Sequence, residues 1–128
     1  MTYFSNYLEN ALINATVRNT TFTSPATVYL GLFTTDPTDA GTGTEVSGGS
    51  YARQAITFSA PSNGVTSNNA QVTFPTATAN WGTVGWIGIY DALTSGNLLY
   101  HAPLTTSKTI ANGDVFIVSS GNLTLTLS

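Results

Sequence analysis

Asp36, Asp39 and Glu45 stand on one glycine-rich stretch, LFTTDPTDAGTGTEVSGGSYARQ over residues 32–54, which closes with Tyr51 and Arg53. Three carboxylates on such a loop offer oxygen ligands to a hard cation such as calcium, with carbonyls and threonine hydroxyls to complete the shell. The spacing is not that of an EF-hand loop, and turn caps with local salt bridges account for the acids more simply. Arg53 brings a planar fork of donors that suits a carboxylate or several loop carbonyls. The reading adopted is that Arg53 ties the long loop down with Asp36 or Glu45 as partner, while Tyr51 packs over the glycines. In the alternative, Arg53 faces a neighbouring subunit and the acids cap turns.

Catalytic groups are scarce elsewhere. His101 is the only histidine and there is no cysteine. Proton transfer and nucleophile activation need histidine beside a partner, and its strand neighbours Tyr100 and Ala102 supply none. A hydrogen-bonded strand histidine is the reading that follows. Gly48-Gly49-Ser50 lacks the G-x-S-x-G context of a nucleophile elbow. The expectation is therefore a protein that is not an enzyme and uses no cofactor and no metal.

Charge narrows the partners. Only 7% of residues are charged, net charge is −3, and the cations Arg18, Arg53 and Lys108 are dispersed. A nucleic-acid binder needs a basic patch, so none is expected as partner. No apolar run reaches spanning length, and no secretory leader is legible, so no membrane role is expected. With 41% hydrophobic residues the chain has the means to form a core, and a disordered reading fails.

The elements that must position these residues follow from periodicity. Tyr3, Phe4, Tyr7, Leu8, Ala11, Leu12 and Ala15 fit one face of an amphipathic helix, with Thr2 or Ser5 as cap. This helix is expected to lie on the chain's own sheet, or otherwise to dock on a neighbour as an assembly arm. Residues 27–34 read as a strand with Val28, Leu30 and Leu32 on one face and Tyr29 and Phe33 on the other. Residues 52–59 alternate, placing Ile56 and Phe58 inward and Arg53 and Thr57 outward. WGTVGWIGIY over residues 81–90 is apolar on both faces and reads as the central strand; Gly82, Gly85 and Gly88 predict a bulge or a close backbone approach. Trp81 and Trp86 are assigned to the core, since a sugar-stacking platform would need exposed aromatic faces.

Later strands are predicted at residues 97–104, with Pro103 making the end of that strand an edge, and at 108–110 and 115–119 across an Asn112-Gly113-Asp114 hairpin turn. A last half-buried strand carries Leu123, Leu125 and Leu127. The fold class is mainly β: an antiparallel β-sandwich, jelly-roll-like, preceded by one N-terminal amphipathic α-helix. Residues 1–18 form the helical segment and 19–128 a single sandwich domain.

LFTTDP followed by GTEVSGGSYARQ, and later WGTVGWIGIYDALTSGNLLYHAPL, resembles small virion proteins of tailed bacteriophages, a family labelled tail fibre, minor tail or head-decoration proteins. The resemblance implies a structural part of the virion, assembled in a bacterial host, that contacts phage structural proteins such as the major capsid or tail protein and forms a homo-oligomer. Because the chain is compact and without repeats, the expectation is a capsid decoration or cement protein on the head exterior. The alternatives are a tail-associated fibre or minor tail protein, or a receptor-binding module for a glycan, which is possible but not favoured.

Overall fold

The structure, a computed structural model, describes residues 2–127. Its main layer is a five-stranded antiparallel sheet in the order β1-β7-β6-β2-β3, with β1 Tyr3–Phe4, β2 Val28–Phe33, β3 Gln54–Ile56, β6 Gly82–Tyr90 and β7 Leu98–Ile110. The second layer is two ribbons, β4 Val65–Ser67 with β9 Thr124–Thr126, and β5 Val72–Thr73 with β8 Ile117–Val118. Leu30, Leu32, Ile56, Val84, Ile87 and Ile89 line the inner face of the sheet. Val72, Phe74 and Phe116 meet them in one buried cluster. This is an antiparallel β-sandwich with one helix near its N-terminus.

β6 is the central strand because it is apolar on both faces. Val84, Ile87 and Ile89 enter the main core, and Trp86 and Tyr90 pack with Phe33 and Leu98 on the outer face. Its glycines have separate roles. The register slips between Val84 and Trp86, so Gly85 sits in a bulge. Gly88 is a close approach: an added Cβ would lie 2.9 Å from Leu98 Cδ1 and 3.0 Å from Phe33 Cε1.

Several boundaries differ from the sequence reading. Tyr3 and Phe4 belong to β1, paired with His101 and Tyr100 of β7, and not to the helix. The helix α1 runs Asn6–Val17. Ser5 explains the break: its hydroxyl caps Leu8 N at 3.1 Å and also donates to the Leu98 carbonyl, while its own N–H bonds Leu99 O at 2.9 Å. A residue held from both sides in this way bolts the start of the helix to β7. Only Leu8 of the helical stripe is buried; Leu12 is half-buried, and Tyr7, Ile13 and Val17 are exposed.

β7 runs on past residue 104, and Pro103 does sit at an edge. The strand continues for 13 residues because β1 covers only Tyr100 and His101, so the missing N–H of Pro103 faces an edge with no ladder to break. The turn at residues 111–114 forms, but it does not make a hairpin. β8 crosses to pair with β5, Val72 opposite Val118.

Candidate functional site

Both loop clusters lie on the outer face of the five-stranded sheet. The long connection folds back along β2, with Thr34 N bonded to Thr44 O and Val46 N to Leu32 O, each at 2.9 Å. Its turn is closed by Thr42 N on Pro37 O at 2.7 Å. At Gly43 an added Cβ would come within 2.6 Å of Asp36 O, so only glycine fits there.

The returning arm carries Glu45 to Arg53. Arg53 Nε donates to Glu45 Oε2 at 2.9 Å and Nη2 to Oε1 at 2.8 Å, a two-pronged pair. Nη1 reaches across to the next loop, donating to Ala92 O at 3.0 Å and Ser95 O at 2.7 Å. The guanidinium lies 3.6 Å over the Tyr90 ring. Arg53 does point away from the Ile56 face, but it is only 8% exposed and so not a solvent-facing residue. Tyr51 donates to Glu45 Oε2 at 2.6 Å and accepts from Leu32 N at 3.0 Å. Its ring does not cover the loop glycines. It stacks on Phe74 at 6.1 Å and meets Trp81 edge-on at 5.4 Å, inside the core.

The electrostatics follow from this burial. Burial works against the Arg53 cation, but the hydrogen bonds and charge of Glu45 more than offset it, and its pKa is raised. Burial pushes the Tyr51 phenol far up, with the hydrogen bond to Glu45 adding to the shift. Burial likewise raises Tyr90 and Tyr100. A phenol whose folded pKa exceeds its unfolded value stabilises the fold below about pH 10, and that stability is lost as pH rises further. Tyr51, Tyr90 and Tyr100 should therefore ionise late, in step with loss of the β-sheet circular dichroism signal, in an alkaline absorbance titration. Simultaneous titration of all six tyrosines near the ordinary value, with the fold intact, would count against this.

Asp36 and Asp39 stand apart from Arg53. His101 Nε2 and Asp39 Oδ1 are hydrogen-bonded at 2.7 Å across 62 residues of chain. The other ring nitrogen, Nδ1, lies 3.9 Å from Asp36 Oδ1, beyond hydrogen-bonding range. Asp36 Oδ1 also accepts from Thr38 N at 2.9 Å, and Asp39 O accepts from Asn6 N at 2.8 Å, tying the loop to the start of α1. Tyr3 stacks on the His101 ring at 5.4 Å and is 45% exposed. Trp86 is half-buried nearby, so the two tryptophans differ: Trp81 is core, Trp86 borders solvent.

The sequence offered no signal for the His101–Asp39 pair, since strand pairing and a loop fold bring together residues that look unrelated along the chain. Among the described residues no group of three or more His, Cys, Asp or Glu is placed to hold a metal ion. No helix among the described residues is long and apolar enough to cross a membrane. The arrangement offers a rigid salt-bridged joint between loops and, beside it, an open cleft with aromatic and carboxylate walls. The model of a family described as podophage GP4 fiber I protein gp80 matches residues 3–126. No curated protein matches the chain.

Proposed function

The chain belongs to the podophage GP4 fiber I protein gp80 family, and from that premise we propose that it acts by assembly, as a non-enzymatic structural subunit of a tailed-phage fibre. The match across nearly the whole sandwich carries this reading. It moves the preference from a decoration subunit on the head exterior to a fibre. The compactness that favoured the head applies equally to an attachment or tip domain of a fibre, which needs no repeats of its own. The subunit forms a homo-oligomer and contacts other phage structural proteins within the virion.

Its contacts are apolar and neutral-polar, because charged groups are few and the most buried cation, Arg53, is spent inside the chain. Ile13 and Val17, exposed on α1 beside the sheet, fit such contacts. Screening acts on charge pairs, so attachment to the particle should survive moderate salt. A map of the intact particle tests the proposal directly. Density for the sandwich is expected in a fibre or at its point of attachment. Density on the capsid lattice, or release of the protein by moderate salt alone, would overturn it.

A further inference from the structure

Where the loop of residues 36–43 meets the outer face of the sheet, it leaves a cleft of about 430 Å³. That volume falls in the range of small-molecule pockets. Tyr3 and Trp86 give it aromatic walls, Asp36 and Asp39 stand on its rim, and His101 lies at its base. We infer that this cleft binds an uncharged pyranose.

Four features of the cleft lead to that ligand class. An aromatic ring offers a flat apolar face that suits the C–H face of a pyranose while leaving the sugar's hydroxyls free. Tyr3 has such a face to offer, since only one side of its ring is taken by His101. Both carboxylates are about half exposed, at 55% for Asp36 and 51% for Asp39. Each uses one oxygen within the chain, Oδ1 in both cases, and has Oδ2 left to accept from a hydroxyl in a charge-assisted bond. His101 is 5% exposed, hydrogen-bonded to Asp39 through Nε2 and stacked on Tyr3, and its Nδ1 makes no hydrogen bond among the described residues. A buried ring with one fixed and one unused nitrogen is a preorganised polar contact for a ligand.

The charge of the cleft selects further. Two carboxylates with no lysine or arginine in the lining repel uronic acids, sialic acids and phosphate. The cleft is also walled by β1, so the two residues that the structure moves out of the helix are part of its architecture.

The two indole N–H signals in a heteronuclear NMR spectrum give a paired readout. Trp81 Nε1 donates to Gly49 O at 2.9 Å in the core and serves as the internal reference, while Trp86 reports on the cleft. The probes are the methyl glycosides of glucose, galactose, mannose and N-acetylglucosamine, with methyl glucuronide as the anionic control. At least one neutral glycoside should move the Trp86 signal saturably, with a Kd of about 1 mM, and leave Trp81 in place. Binding should weaken about tenfold or more in Tyr3→Ala and in the nearly isosteric Asp36→Asn/Asp39→Asn variant, and the glucuronide should bind about tenfold more weakly. The double variant changes exposed side chains only, so it keeps the test open if Tyr3→Ala perturbs β1. The inference is overturned if no neutral glycoside moves Trp86 or both indoles shift together. Equal binding of the glucuronide, or undiminished binding by a correctly folded variant, would overturn it too. None of these outcomes depends on where the subunit sits on the particle.

Discussion

Glu45→Ala should destabilise the chain by about 3–5 kcal/mol, because it strands the buried charge of Arg53 without its counter-ion. The side chain accepts three hydrogen bonds, two from Arg53 at 2.9 and 2.8 Å and one from Tyr51 at 2.6 Å. Tyr51 in turn holds Leu32 N, and Arg53 holds the carbonyls of Ala92 and Ser95. One carboxylate thus joins β2, the long loop and the β6–β7 turn. A loss of this size is a large part of the roughly 5–15 kcal/mol that a domain commands, and should lower the melting temperature by about 10 °C or more.

Arg53→Lys should also cost stability, about 1–3 kcal/mol, since a lysine cannot reach the carboxylate with two prongs and both carbonyls at once. Replacing both partners by apolar residues, as in Glu45→Leu/Arg53→Met, should recover much of the loss, because neither charge is then buried alone. Chemical denaturation of Glu45→Leu, Arg53→Met and the double variant that combines them closes the cycle. If each single variant costs less than about 1 kcal/mol and the loss vanishes in salt, the pair is an ordinary surface bridge and the joint is not structural.

The parts of this fold that were readable share one property: their evidence is local. β2 and β6 carry their burial in alternation and in runs of apolar residues, and the glycines of β6 stand inside the run they bend. Arg53 and its two candidate partners, Asp36 and Glu45, stand on one stretch of chain, so a pairing within that loop is legible. Asp36 was an equal candidate for Arg53, and nothing in the spacing could reject it. What rejects it is the return of residues 44–46 along β2, which carries Glu45 inward and leaves Asp36 out beside His101.

The failures are non-local in the same sense. Tyr3 and Phe4 satisfy the helical period, yet Leu99 and Leu98 of a distant strand claim Ser5 and set the boundary there. Pro103 is a strand-breaker only where a neighbouring strand lies on the side its N–H would face. The length of β1, two residues, decides that question, and the sequence near Pro103 holds no trace of it. The ribbon of β5 with β8 joins segments too far apart for any turn to announce. Trp86 and Trp81 look alike in the sequence; the bulge at Gly85 turns Trp86 to the face opposite Val84, while Trp81, just before β6, enters the core.

Asn68→Asp should be the most damaging single-atom change in the chain, costing about 3–5 kcal/mol near neutral pH. Asn68 reads in the sequence as one more polar residue in Ser67-Asn68-Asn69, yet it is 1% exposed. Its amide nitrogen donates to Ala70 O at 2.9 Å and Ser119 O at 3.0 Å, and its oxygen accepts from Leu123 N at 2.9 Å. Its backbone adds bonds to Leu123 O at 3.1 Å and from Gly121 N at 2.7 Å. The residue is therefore the clasp between the β4 side of the second layer and the turn that leads into β9. Aspartate has the same shape but no donor where two carbonyls converge, so its ionised form would face both oxygens in a site without water access.

The pH dependence separates this mechanism from simple loss of packing. The buried carboxyl would have a folded pKa above its unfolded value, so the variant should regain stability as pH falls through that folded value. Protonation restores one donor of the two, so recovery should be partial. Asn68→Leu removes the donors and the acceptor together and should be destabilised to a similar degree, but with no such recovery in acid relative to the parent chain. Denaturation curves of the parent and both variants at neutral and mildly acid pH would decide it. An Asn68→Asp chain as stable as the parent at neutral pH, or one whose deficit does not shrink in acid, would show that the clasp is not made by the amide donors.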